Sequence, residues 1–284
     1  MWLFKRRPVV PVVRFAGPIG FATPLRPGLS ISAVAGGLEK AFSLSKLPTI
    51  AVIVNSPGGS PVQSNLIFKR MRQLAKEKKK RIYVFCEDVA ASGGYYLAVA
   101  GDEIFADPSS IVGSIGVISA SFGFDKAITR LGIDRRVYTA GEAKALLDPF
   151  QPEKPDDVAR LKKIQKDVHD VFIGIVKDRR AERLKGPDSE LFSGAFWSAA
   201  KALELGLIDG ISDVRTKMRE LHGEDVQLKV VPFGPGGWLS RLFRFPRLAS
   251  ATTGAESTCN LPLALADDLL SAIEARALWS RYGL

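Results

Sequence analysis

Two short segments, Ile50-Ala51-Val52-Ile53-Val54 and Ile82-Tyr83-Val84-Phe85-Cys86, are apolar at every position. Strands buried on both faces of a parallel sheet read this way, because neither face meets water. The β-branched stretch Val9–Arg14 predicts a first strand, and Glu103–Ala106, Gly116–Ile118 and Ile133–Tyr138 predict three more. Between them the period changes. Ile31–Phe42 places apolar residues at helical spacing, and Pro61–Lys79, Ala91–Ala100 and Asp125–Leu131 predict further helices, with Pro61 suited to a first turn. Strands alternating with helices imply a parallel α/β sheet with right-handed crossovers.

A longer helix is expected from Pro155 to about Lys185. Val158, Leu161, Ile164, Val168, Phe172 and Ile175 recur along it at three- and four-residue steps and mark one buried face. Ser198–Gly206 predicts a short helix before Leu207-Ile208-Asp209-Gly210. Beyond Val231 the pattern breaks. Pro232–Gly237 reads as a linker, Trp238–Phe245 is short, basic and aromatic, and Ala249–Asn260 is small and polar. An amphipathic helix is expected from about Leu263 to Arg281. The chain therefore divides into a domain over residues 1–231, a linker over 232–262 and a terminal helix over 263–284.

Composition adds limits. Two cysteines, Cys86 and Cys259, rule out a disulfide framework or a zinc cluster of cysteines, and Cys86 reads as a core residue in a reducing compartment. The formal charge of +10 favours acidic surfaces, but solvated lysines account for most of it. The run Lys76-Glu77-Lys78-Lys79-Lys80-Arg81 ends a helix, where cations suit the macrodipole. No nucleic-acid motif is present, so no nucleic-acid partner is expected. The basic start Met1–Pro8 has no apolar segment behind it. The uncharged stretch Pro108–Phe124 falls short of the roughly 18–20 residues a spanning helix needs. The expected location is cytoplasmic, with peripheral contact to the inner membrane through Trp238–Phe245 left open.

The two histidines, His169 and His222, lie in polar settings, which disfavours a Ser-His-Asp triad, and no His/Asp/Glu metal cluster stands out. Pro57-Gly58-Gly59 and Ser92-Gly93-Gly94 lack the spacing of phosphate-binding glycine loops. No cofactor and no metal are expected. Three segments carry chemistry instead. Ser92 lies between a strand and a helix, where free N–H groups favour negative charge; by itself it also reads as an N-cap. Asn55-Ser56-Pro57-Gly58-Gly59 follows a buried strand with a glycine pair that lets backbone approach a ligand. Lys144 follows a predicted strand and the turn at Gly141. Partial burial there would favour an uncharged amine able to take a proton from a serine.

Together these segments resemble the signal peptide peptidase A (protease IV) family of Ser-Lys peptidases, within the Clp protease/crotonase superfamily. The matching residues are Val-Asn-Ser-Pro-Gly-Gly at 54–59, Ala-Ala-Ser-Gly-Gly-Tyr-Tyr at 90–96, Gly-Ser-Ile-Gly-Val-Ile at 113–118 and Leu-Gly-Leu-Ile-Asp at 205–209. The resemblance implies an α/β fold of Clp/crotonase type, a parallel sheet with crossover helices, here with a helical C-terminal extension. It implies Ser92 as nucleophile, Lys144 as general base, Ser114 orienting that lysine, and Gly59 and Gly93 as oxyanion donors, with the choice between Gly58 and Gly59 open. Around the lysine the family commonly has Lys-Asp-Ile-Gly-Ser-Pro, where this chain has Lys144-Ala145-Leu146-Leu147-Asp148-Pro149. The implied activity is hydrolysis of hydrophobic or signal peptides through an acyl-enzyme, in a homo-oligomer that encloses its sites. Two rivals stay open: an acyl-CoA enzyme of the same fold, and a non-catalytic scaffold.

Overall fold

The computed structural model describes residues 7–20, 28–141, 143–233, 272–273 and 275–284. The elements in chain order are β1 (Val9–Ala16), α1 (Ile31–Leu44), β2 (Thr49–Ser56), α2 (Pro61–Lys78), β3 (Arg81–Ala91), α3 (Gly93–Ala98), β4 (Glu103–Ala106), β5 (Ile111–Gly113), α4 (Asp125–Arg130), α5 (Pro155–Arg180), α6 (Asp188–Leu191), β6 (Phe196–Ser198), α7 (Ala199–Glu204), β7 (Gly210–Ile211), α8 (Val214–His222) and β8 (Gln227–Val230). The sheet runs β6-β5-β3-β2-β1-β8, with β4 joining β3 to β7. Every pairing is parallel except that of β5 with β6.

The two apolar runs form the centre, as their patterning requires. Ile50 pairs with Ile82 and Val52 with Val84, and all four are buried. Helices α1 and α2 cover one face with Leu38, Phe42, Ile67 and Met71, which join a continuous core containing Phe15 and Tyr95. Each large apolar side chain withdrawn from water contributes roughly 1.5–3 kcal/mol. Local chemistry sets the helix ends. The Ser30 and Ser60 side chains accept from Ala33 and Gln63 amides, and Pro61 opens α2. Strand β3 is long because it serves two neighbours. Its first half pairs with β4, and Val89–Ala91 pair with Ile111–Gly113 of β5.

The Leu205–Asp209 motif closes the other side. Leu205, Leu207 and Ile208 are buried, and Gly206 takes φ +71°, where a Cβ would lie 1.7 Å from the Arg183 carbonyl. Asp209 accepts from the Ile104 amide at 2.7 Å and pairs with the fully buried Arg180 at 2.8 Å.

Three expectations need correction. Gly116–Ile118 and Ile133–Tyr138 are not strands. Their β-branched residues find no ladder to join, and strand preference is largely a preference for neighbours. The apolar face expected along α5 is buried only toward its end, at Phe172 and Val176, while Ile164 and Val171 are exposed. From Gly116 through Val171 no described residue is buried. Beyond residue 231, Phe233 stacks on Phe15 at 5.2 Å. At the C-terminus residues 275–280 are helical, and Trp279 and Tyr282 pack against Val89, Ala91 and Ile111. The basic aromatic segment Trp238–Phe245 and most of the expected linker lie outside the described residues. Among the described residues, no helix is long and apolar enough to cross a membrane.

Candidate active site

Strands β2 and β3 end side by side, and their parallel direction delivers two turns to the same edge of the sheet, where open α/β sheets bind ligands. The first turn carries Gly58 and Gly59. A Cβ on Gly58 would sit 2.8 Å from both the Ser92 Cβ and the Gly93 nitrogen, and one on Gly59 would sit 2.1 Å from the Ile19 carbonyl oxygen. Only glycine allows this approach. The Ile19 segment pins the turn: the Ile19 amide donates to Gly58 O, and the Ser60 amide donates to Ile19 O, both at 2.8 Å.

The second turn carries Ser92, held at φ 52°, ψ −121° between β3 and α3. Such a backbone costs a serine on the order of 1–3 kcal/mol and recurs where geometry matters more than comfort. Its side chain makes no capping bond, so the N-cap alternative does not describe it. The Ser92 amide donates to Gly113 O at 2.8 Å, tying the turn to the end of β5. Ser114 follows at once, also at positive φ (53°), with its amide on Ala195 O at 2.7 Å. Ser92 and Ser114 thus each follow directly on the last paired residues of β3 and β5, Ala91 and Gly113.

The amides sort themselves by occupancy. The Gly58 amide donates to Ser56 Oγ at 3.2 Å. The Gly59 and Gly93 amides donate to no group among the described residues. A Cβ on Gly93 would lie 3.3 Å from the Gly59 nitrogen, so the two free donors flank Ser92 together.

Beside Ser92 opens a cavity of about 190 Å³. Its walls are Pro61, Val62 and Asn65 of α2, Tyr96 of α3, Val117, and Val168, Val171 and Phe172 of α5. None of the lining residues is a carboxylate, the group an acyl-CoA enzyme of this fold would use. Two buried polar atoms in the wall, Asn65 Oδ1 and the Tyr96 hydroxyl, have no partner among the described residues. Burial raises Tyr96 to a pKa of about 12, so its hydroxyl stays protonated.

Lys144 is elsewhere. It is exposed, where partial burial was expected, and it does not line the cavity. Its amide donates to Gly141 O at 3.2 Å in a loop that belongs to an arm over residues 116–154. That arm holds itself together: Arg135 pairs with Asp148 at 2.9 Å and lies over the Phe150 ring, which packs on Phe124. The two histidines are less exposed than their sequence setting indicates. His169 Nε2 is 3.0 Å from Ile115 O, and His222 Nε2 is 3.0 Å from Thr49 Oγ1. Neither lines the cavity. No group of three or more possible metal ligands occurs among the described residues.

Sequence reasoning missed the cavity walls. The spacing of Val168, Phe172 and their neighbours was visible, but a stripe lining a groove and a stripe packed in a core have the same period.

A strained serine between two free amides, at the carboxyl edge of a parallel sheet, defines a hydrolase-type site on a Clp/crotonase-like α/β fold. The sequence profile of peptidase family S49 matches residues 74–229, more than half of the chain, and the chain belongs to that family. It is 51% identical over 276 residues to the Na(+)/H(+) antiporter NhaA of Brucella abortus, covering 97% of this chain and 37% of that protein. It is 31% identical over 207 residues to a chloroplastic serine protease SPPA of Arabidopsis thaliana, covering 66% of this chain and 30% of the relative. It is also 31% identical over 174 residues to a putative signal peptide peptidase SppA of Enterococcus faecium, covering 61% and 50%. The chain thus spans little more than a third of the length of its Brucella relative.

Proposed function

We propose that this chain is a serine endopeptidase that cleaves hydrophobic peptides, signal peptides among them, through Ser92 and Lys144. The observation that carries the reading is Ser92 itself, held at positive φ with the free amides of Gly59 and Gly93 beside it and an apolar cavity in front. Ser92 Oγ attacks the peptide carbonyl while the Lys144 amine takes its proton. The oxyanion rests on the two amides, each worth roughly 3–4 kcal/mol in the transition state. Lys144 passes the proton to the leaving amine, and water then hydrolyses the acyl-enzyme. Ser114, which follows β5 as Ser92 follows β3, is the group that would orient the lysine. The apolar walls suit an apolar side chain, and the printed names of the Arabidopsis and Enterococcus relatives support peptide and signal peptide substrates.

In this reading Lys144 reaches a Ser92 only on assembly. The arm that carries it leaves Phe122 and Tyr138 78% and 91% exposed, which a homo-oligomer would cover. The reading also keeps a cytoplasmic location, peripheral to the inner membrane. Hydrolysis of a hydrophobic reporter peptide tests it. Ser92→Ala and Lys144→Ala should each lose at least a thousandfold in kcat/KM with unchanged unfolding temperature. If the dyad forms between copies, mixing the two inactive variants restores activity. Wild-type activity in Ser92→Ala would refute the proposal.

A further inference from the structure

Read along the sequence, the run Lys76–Arg81 is a helix end with well-placed cations. Folding gives it company. Arg72 and Lys76 of α2, Lys80 just before β3 and Arg81 at its start, Arg179 of α5 and Arg183 in the turn after it line a single cleft of about 690 Å³, with Asp102 as its one acidic lining residue. From the rim, Glu103 pairs with Arg81 at 2.9 Å and Asp209 approaches Arg183 at 3.6 Å. Counting both, three positive charges remain uncompensated. The carboxyl ends of α2 and α5 also point here, but each contributes only about half a negative charge. The excess survives them.

The cleft is built rather than merely decorated. Asp102 Oδ1 receives both Arg72 at 2.9 Å and Arg179 at 3.1 Å, while its Oδ2 is fixed by the Ile82 amide at 2.8 Å. The guanidinium groups are anchored further on the carbonyls of Ala100, Val99 and Gly101. Lys80 is nearly buried and donates to the Ser45 and Leu47 carbonyls. Burial, then the nearby Arg72, lowers the proton affinity of Arg179, and burial does the same for Lys80. Asp102 offsets only part of this charge, and the remaining cations, held close and partly out of water, are stabilised by a further anion.

We propose that this cleft is a binding site for a phosphate-type oxyanion, either a free phosphate compound or the headgroup of an anionic lipid. Guanidinium N–H groups match phosphate oxygens, and after the contacts that pin them Arg72 keeps Nε and Nη2, and Arg179 keeps Nη1, without a partner among the described residues. The site stands apart from the peptide cavity yet shares its helices. Arg72 lies seven residues beyond Asn65 on α2, and Arg179 seven beyond Phe172 on α5, about 10 Å along each axis. The cavity takes the start of α2 and the cleft its end, while both draw on the second half of α5.

The test measures binding of the full chain to pyrophosphate by calorimetry, and to vesicles of phosphatidylcholine with and without phosphatidylglycerol by flotation. Both are run at 0.15 M salt, where diffuse attraction is screened beyond about 8 Å. The Lys76→Glu/Arg183→Glu variant should bind at least tenfold more weakly. An equal number of reversals outside the cleft, Lys163→Glu/Lys229→Glu, should change binding less than twofold. Should the first variant unfold, Lys76→Gln, at an exposed position, should still lower affinity about threefold. Cleft-dependent binding of pyrophosphate alone assigns a soluble phosphate ligand, and cleft-dependent flotation on phosphatidylglycerol assigns a lipid headgroup. Binding to neither, or equal loss from the distant reversals, overturns the proposal.

Discussion

The sheet around β2 and β3 and the arm over residues 116–154 both carry β-branched and aromatic residues in short runs, yet they end in opposite states. In the sheet, Ile50, Val52, Ile82 and Val84 are inaccessible to water. In the arm, Ile118, Phe122, Leu131, Ile133 and Tyr138 are all exposed. The difference is one of supply. Each sheet residue has strands on both sides and helices above, while the arm meets the rest of the chain sparsely, as where the Leu147 amide donates to Asp157 Oδ2 at 3.3 Å. Ser92 stands at the edge of the buried region, and Lys144 stands in the exposed one.

The sharpest way to test the self-sufficiency of the first region is to remove Arg180. Its guanidinium, 1% exposed, binds Gly206 O twice and both oxygens of Asp209. Arg180→Leu leaves a carboxylate and a carbonyl without that partner. We expect a loss of about 3–5 kcal/mol in urea unfolding. A loss below 1 kcal/mol would mean that the core does not depend on this closure.

The arm should respond in the other sense. Phe122→Ser/Tyr138→Ser removes apolar surface that no described residue buries, so the unfolding free energy should stay within about 0.5 kcal/mol. Sedimentation should instead shift toward smaller species, and peptidase activity should fall at least tenfold with it. Unchanged assembly and activity would show that the arm needs no cover.

These contrasts explain what was legible in the sequence. The runs at 50–54 and 82–86 announced buried parallel strands because both faces are covered within the chain. The turns at 58–59 and 92–94 announced a site because their glycines are required by backbone contact, as at Gly58 against Ser92. Gly116–Ile118 and Ile133–Tyr138 misled for the converse reason: their composition suits a strand, but strand formation needs a neighbour that the local sequence does not encode. Lys144 was legible as a chemical type and not as a position. The basic cleft was half legible, since Lys76–Arg81 was conspicuous but its partners Arg179 and Arg183 come from a distant helix.

Tyr96 lies in the cavity wall, stacked on Phe172 of α5 at 4.7 Å. Its hydroxyl is buried without a partner among the described residues. Tyr96→Phe removes that hydroxyl while keeping the ring, and it should be neutral or stabilising by up to about 1 kcal/mol. If the hydroxyl meets bound peptide, KM rises severalfold while kcat holds. Destabilisation by more than 1 kcal/mol would show that the hydroxyl is satisfied in the folded chain.

The smallest effect lies at the far side of the core, at His222, which ends α8 and is 3.0 Å from Thr49 at the start of β2. Burial lowers its pKa below the ordinary histidine value. The folded chain therefore takes up this proton less readily than the unfolded one. Above about pH 6.5 neither state is charged and the histidine costs nothing. As pH falls through 6.5 the unfolded state gains the proton first, so stability declines until the folded pKa is reached and then levels off. His222→Gln removes this term while keeping a polar group near Thr49. Between pH 7 and 5 the wild type should lose more unfolding free energy than the variant, a difference that cancels the titration both proteins share. Parallel profiles would place His222 in water, and the sheet end would then be as open as the arm.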